Sequence, residues 1–214
     1  MKSKSNFPRR RAMRLPGYDY TQPGAYFVTI CAQHRKCLFG TITDGKMQLN
    51  EIGQIVIDCW NHIPQHFPSV ELYEYVIMPN HIHGIIAWGI PKPEDPHPPK
   101  IVGAGSPRPS QTATPFENTK NVGAGSPRPS PNNPNRINEI PSPSLGKIIA
   151  YFKYQSTKHI NRRYRTPGTR LWQRNYHDHI IRDDPDLQRL REYIQINPMK
   201  WELDQLHPDN PSKW

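Results

Sequence analysis

Residues 70–88, VELYEYVIM-PN-HIHGIIAW, narrow the possible folds more than any other stretch. Two runs rich in β-branched and aromatic residues flank the turn signal Pro79-Asn80. Such runs form strands, and a connection this tight makes them antiparallel neighbours. Side chains alternate across a strand, so His81 and His83 project from one face while Ile82 takes the other.

The remaining apolar pattern supplies further elements. AYFVTICAQ, 25–33, reads as a strand with Tyr26, Val28, Ile30 and Ala32 on one face. A turn-rich stretch follows, with Gly40, Asp44 and Gly45. In NEIGQIVIDCWNHI, 50–63, Ile52, Ile55, Val56, Cys59 and Ile63 recur at helical spacing behind Asn50, a good N-cap. Ser144 caps a second helix running to about Arg163, with Leu145, Ile148, Ile149, Phe152 and Ile160 as its stripe. NYHDHIIR, 175–182, alternates as another strand. A last helix starts near Asp184-Pro185, with Asp as N-cap and Pro at the first helical position. It ends near Asn197, because Pro198 disfavours helical geometry in the residue before it. The order β-α-β-β-α-β-α predicts an α+β fold: an antiparallel sheet with helices on one face, ferredoxin-like or split βαβ.

Composition interrupts this pattern. Residues 90–140 are dense in Pro, Ser, Asn and Gly, and VGAGSPRPS occurs at both 102–110 and 122–130. Two short copies with little apolar surface make no solenoid, so a disordered insert is expected. Without that insert 163 residues remain, enough for one domain, and the domain itself is expected to span 25–89 and 141–203. Residues 1–24 are expected to form a basic arm and 204–214 a tail. The net charge of +10 points to a polyanionic partner, most often nucleic acid. Arg9, Arg10, Arg11 and Arg14 in the arm, and Lys147, Lys153, Lys158 and Arg162 outside the apolar stripe of the 144–163 helix, are the candidate phosphate contacts. Tyr18, Tyr20 and Trp172 are candidates for stacking on bases or for core packing. Cys31, Cys37 and Cys59 lack C-x-x-C spacing, which argues against a disulfide framework and a thiolate zinc centre. No apolar run approaches the ~18 residues of a membrane span, and the N-terminus lacks a signal-peptide core. A cytoplasmic protein is expected, nucleoid-associated when bound to DNA.

A bare H-x-H is more often two ordinary strand-end histidines than a metal site. The last helix offers partners. Tyr193 and Asn197 stand four apart, about one turn from each other on one side. Tyr193 can be a nucleophile or a core tyrosine; Asn197 can present its oxygen to a metal or cap the helix. In NYHDHIIR, His177 and His179 share one face and Asp178 the other, which makes Asp178 and His179 secondary candidates.

MPNHIHGII followed by a late helical YIQINP resembles the single-tyrosine HUH transposases, and in particular the REP-associated tyrosine transposases. HUH denotes His, bulky apolar residue, His. RLPGYDYTQPGAYFVTIC, LWQRNYHDHIIRD and REYIQINPMKW extend the resemblance over nearly the whole chain except 90–140, its main departure. The resemblance implies His81 and His83 as metal ligands, Tyr193 as nucleophile and Asn197 as a further ligand. It implies a substrate of single-stranded, hairpin-forming DNA and no membrane partner, and it leaves monomer and homodimer open. Nitrogen and oxygen ligands together suit Mg²⁺ or Mn²⁺, whereas two histidines alone suit zinc equally. The implied reaction is a transesterification that leaves a 5′-phosphotyrosine and a free 3′-hydroxyl. The alternative is a catalytically silent protein that binds DNA hairpins with the same fold. A zinc deaminase is disfavoured, because H-x-E and C-x-x-C are both missing.

Overall fold

The computed structural model describes residues 15, 17–90 and 143–210. Apart from Ile90, the expected insert lies outside these residues, as do Arg9, Arg10, Arg11 and Arg14. Strand β1 (Gly24–Cys31) begins the sheet. A hairpin, β2 (Gly40–Thr43) and β3 (Lys46–Leu49), precedes helix α1 (Glu51–Asn61) and the single turn α2 (Ile63–His66). Then come β4 (Val70–Ile77), β5 (His81–Trp88), α3 (Leu145–Tyr164), β6 (His177–Ile181) and α4 (Asp184–Ile196). The main sheet has the order β4-β5-β1-β6, with every neighbouring pair antiparallel. β5 thus sits between β1 and β4, which are parallel to each other. This is the split βαβ arrangement expected of a ferredoxin-like fold.

The helix starts follow their caps. Asn50 Oδ1 accepts from Gly53 N at 2.9 Å, and Ser144 Oγ accepts from Lys147 N at 3.4 Å. For α4 the cap is Asp183, one residue earlier than expected, accepting from Asp186 N at 2.9 Å; Pro185 therefore takes the second helical position.

Both faces of the sheet are covered. Tyr26, Val28, Ile82 and Ile86 form the main core with Trp60 of α1 and Ile148 and Phe152 of α3. On the opposite face Phe27, Val76 and Ile85 pack against Leu187, Leu190 and Ile194 of α4. The expected placing of helices on one face holds for α1 and α3 but not for α4. Crossovers of one hand put α1 and α3 on the same side. α4 follows the last strand and makes no crossover, so its apolar stripe covers the face they leave bare. As a result β5 is buried along its whole length.

The stretch read as merely turn-rich is the β2–β3 hairpin. Asp44 and Gly45 both have positive φ, 50° and 68°, the geometry that a two-residue hairpin turn demands and that Asp-Gly favours. Tyr18 and Tyr20, assigned to the arm, pack edge-on and tilted against Tyr26. Trp172 is buried and donates its indole N–H to Ser156 Oγ at 2.8 Å. These three aromatics serve packing. All three cysteines are free, and among the described residues no helix is long and apolar enough to cross a membrane.

Gly84 lets β5 lie against α1. A Cβ there would stand 2.5 Å from Trp60 Cζ2 and 3.2 Å from Tyr75 Cβ. Gly84→Ala is expected to destabilise the protein by ~1–3 kcal/mol through overpacking. Urea unfolding reads this; an unchanged midpoint would show that the two layers are looser than these distances imply.

Candidate functional site

His81 and His83 stand side by side on the sheet face shared with α4. Their β1 partners are Cys31 and Thr29. Both imidazoles are buried. His81 Nδ1 lies 2.7 Å from Asn80 Oδ1. The Asn80 amide nitrogen donates to two carbonyls, Leu206 O at 2.7 Å and Arg35 O at 3.1 Å. Its oxygen is therefore the atom facing His81, which makes His81 Nδ1 the donor and leaves a lone pair on Nε2. His83 Nδ1 meets Thr29 Oγ1 at 2.8 Å, and the two Nε2 atoms are 2.9 Å apart. Two facing lone pairs at that distance repel, so a proton or a cation belongs between them. A cation requires Nδ1–H on both rings, and Asn80 Oδ1 and Thr29 Oγ1 are placed to accept both.

Three residues from the chain beyond β6 close the site. The Tyr193 hydroxyl is 3.4 Å from His83 Nε2, its ring edge-on to those of His83 and Phe27, and the residue remains 40% exposed. Burial, and then the charge of Asp204, raise the Tyr193 pKa, while a hydrogen bond from Asn197 opposes them. Asn197, four residues on, is 4% exposed; its amide donates to Asp204, and its buried Oδ1 has no partner among the described residues. Asp204 Oδ2 is 3.9 Å from His81 Nε2. The ligand atoms of His81, His83 and Asp204 all lie within 4.8 Å of one another, so these three can hold a metal ion. Burial raises the Asp204 pKa despite hydrogen bonds from Leu206 N and Asn197 and the nearby His207. A buried carboxylate short of compensation, an orphaned carboxamide oxygen and two facing imidazoles together fit a divalent cation. Sequence reasoning placed Asp204 in the tail and missed it. Its only local signal is an acidic residue shortly after the helix-ending Asn197-Pro198.

The cleft over this cluster encloses about 640 Å³, between Phe27, Thr29, His83, His177, Tyr193 and Asp204 among others. His179 shares this sheet face but is held by Asp186 at 2.6 Å. Asp178 points to the opposite face, where Tyr20 donates to its Oδ2 at 2.6 Å and its buried Oδ1 lacks a partner among the described residues. Lys147, Lys158 and Arg162 are exposed on α3, in the layer behind the sheet. Lys153 instead donates to three carbonyls, those of Gln173 (2.9 Å), Asn175 (3.0 Å) and Arg174 (3.4 Å). It anchors the loop that leads from α3 to the cleft.

Burial pushes the His83 pKa down to about 3 from 6.5, with His177 adding to the shift, and burial lowers His81 well below its ordinary value. Below pH 6.5 the unfolded chain takes up protons that the folded chain refuses, so stability present above pH 6.5 is lost as pH falls toward 3. For His83 alone this amounts to ~2 kcal/mol by pH 5. Thermal unfolding with chelator present, between pH 7.5 and 5, is expected to show this loss. His83→Gln should flatten it; a parallel pH profile would mean that His83 titrates normally.

No family model matches the sequence. An uncharacterized protein of Haemophilus influenzae is 36% identical over 212 residues, covering 97% of this chain and 98% of its own. A second Haemophilus influenzae protein, named "Putative REP-associated tyrosine transposase", is 39% identical over 62 residues, 24% of this chain and 34% of its own. Among solved structures, one of a REP-associated tyrosine transposase bound to a REP hairpin covers 94% of this chain and 77% of the other, at 16% identity and a TM-score of 0.48. The motif resemblance to the REP-associated tyrosine transposases is thus joined by a local sequence similarity to a protein given that name, and by a near full-length similarity to an uncharacterized Haemophilus influenzae protein.

Proposed function

We propose that the protein is a metal-dependent transesterase of single-stranded, hairpin-forming DNA, with Tyr193 as its nucleophile. The observation that carries this reading is the Tyr193 hydroxyl, open to the cleft and 3.4 Å from His83 Nε2. A tyrosine serving only the core would bury its ring fully or direct its hydroxyl elsewhere. His81, His83 and Asp204, joined by Asn197 Oδ1, would hold Mg²⁺ or Mn²⁺. Bound there, the cation offsets the charge of the scissile phosphate and polarises its P–O bonds.

The protein's own groups do the rest. Asn80 and Thr29 hold both imidazoles with their Nε2 atoms facing each other. Asn197 donates to Tyr193 and orients its oxygen. The raised pKa of Tyr193 keeps the phenol protonated until substrate is in place, and the open cleft lets water carry the proton away. The Tyr193 oxygen then bonds to phosphorus as the bond from phosphorus to the 3′ oxygen breaks, and that oxygen leaves as a hydroxyl after taking a proton from water. The 5′-phosphotyrosine retains the energy of the phosphodiester, so attack by a 3′-hydroxyl rejoins DNA without ATP.

A denaturing gel after incubation with Mn²⁺ and hairpin DNA from the flanks of its own gene tests this reading. A covalent protein–DNA adduct is expected from the wild type and none from Tyr193→Phe, with hairpin affinity changed by less than about threefold. An adduct that survives in Tyr193→Phe assigns the attack to another residue; no adduct from the wild type favours the silent hairpin-binding protein. His81→Ala and His83→Ala are each expected to abolish metal-dependent cleavage.

Asp204→Asn is expected to weaken Mn²⁺ binding by ~10-fold or more in calorimetry, since a carboxylate carries much of the attraction for a hard cation. An unchanged affinity would remove Asp204 from the ligand set.

A further inference from the structure

A second groove opens behind the cleft. It lies between the C-terminal half of α3 and residues 168–174, and encloses about 480 Å³. Lys158, Arg170 and Arg174 line it and are exposed; no acidic residue among the described residues does so. Tyr154 stands at its edge, 62% exposed, with Lys158 Nζ 5.9 Å from its ring centre. An exposed aromatic ring among exposed cations suits unstacked bases on a phosphate backbone.

The groove is built rigidly and joins the catalytic cleft. Its outer loop is fixed by Asn161 Nδ2 donating to Thr169 O at 2.9 Å. Beneath, Lys153 holds the carbonyls of 173–175. Gln173 lines both hollows. Its N–H donates to Cys31 O at 3.0 Å, and Cys31 is the β1 partner of His81. The wall between groove and cleft is therefore tied to the strand end beside the histidines.

We propose that the unpaired strand continuing from the scissile phosphate passes over Gln173 into this groove, where Arg170 and Arg174 take phosphates and Tyr154 stacks on a base. This rests on the transesterase reading for the placing of the scissile phosphate. It gives Lys158 the phosphate role expected from the sequence and replaces Lys153 in that role by the two loop arginines. The groove is too slight for a duplex and holds single strand, so the hairpin stem stays outside it.

Equilibrium binding separates the groove from the chemistry. Fluorescence anisotropy is measured on full-length protein in the Tyr193→Phe background, with a hairpin alone and with the same hairpin bearing a single-stranded flank, over a range of salt. The flank is expected to tighten binding at least fivefold. Arg170→Ala with Arg174→Ala should abolish that gain and lower the salt slope by ~1.4, two single-strand phosphates' worth. Tyr154→Ala should weaken flanked DNA by about fivefold or more and leave the bare hairpin unaffected. Circular dichroism melting checks that the variants are folded. Equal affinity for flanked and bare hairpins, or an unchanged salt slope in a folded arginine variant, overturns the groove assignment. Adduct formation by the wild type is read separately. An adduct with an indifferent groove refutes the strand path alone, and a flank-dependent groove without adduct refutes the transesterase reading alone.

Discussion

The carboxamide of Asn80 holds three distant parts of the chain around one imidazole. Its oxygen accepts from His81, and its nitrogen donates to Arg35 O in the short helical turn after β1 and to Leu206 O beyond α4. Asn80 and His81 are both fully buried, where an unmade hydrogen bond costs roughly 1–3 kcal/mol. The Asn80 side chain therefore has little freedom to turn over, and the His81 tautomer follows from it. The bond to Leu206 also fixes the segment that carries Asp204. One buried amide thus determines both the tautomer of His81 and the approach of the carboxylate beside it.

The site combines burial and exposure in an unusual proportion. Its prospective ligands are almost sealed, and its phenol faces an open cleft. Sealing removes water from the imidazoles and from Asp204, so their interactions act in a medium of low polarity. It also leaves Asn197 Oδ1 unpaired among the described residues, a cost that a packed core would not tolerate without compensation elsewhere. Part of that compensation lies in how α4 is held. Leu187, Leu190 and Ile194 bind it to the sheet, and Arg191 meets Glu74 at 2.9 Å across a mostly buried contact. Tyr193 and Asn197 gain their positions from this anchoring, because neither contributes much to the apolar seam itself.

Much of the architecture was legible in local patterns. Period-two and helical spacing located the four sheet strands and the three long helices, and Asn50 and Ser144 marked two helix starts where the structure has them. The β2–β3 hairpin was written in Asp44-Gly45 as turn chemistry, but its strands are too short for an alternation to stand out. Strand parity also separated Asp178 from His177 and His179, as observed. Parity says nothing, however, of which face carries the site, and Asp178 proves to be on the other side of the sheet, bound to Tyr20. Charge identified Lys153 as basic without showing that three backbone carbonyls already occupy it.

The sequence by itself determined the strand–turn–strand that pairs His81 with His83, the one-turn spacing of Tyr193 and Asn197, and the order of elements that makes a split βαβ sheet. These are properties of neighbours along the chain, where backbone geometry leaves few choices. The tertiary structure decided that α4 covers the bare face of the sheet, that its tyrosine meets the histidines there, and that Asp204 joins them. Those meetings depend on which apolar surface remains uncovered after α1 and α3 have docked and on a buried amide that clasps a segment 126 residues away. Both are outcomes of competition for burial across the whole chain, and no local spacing encodes them.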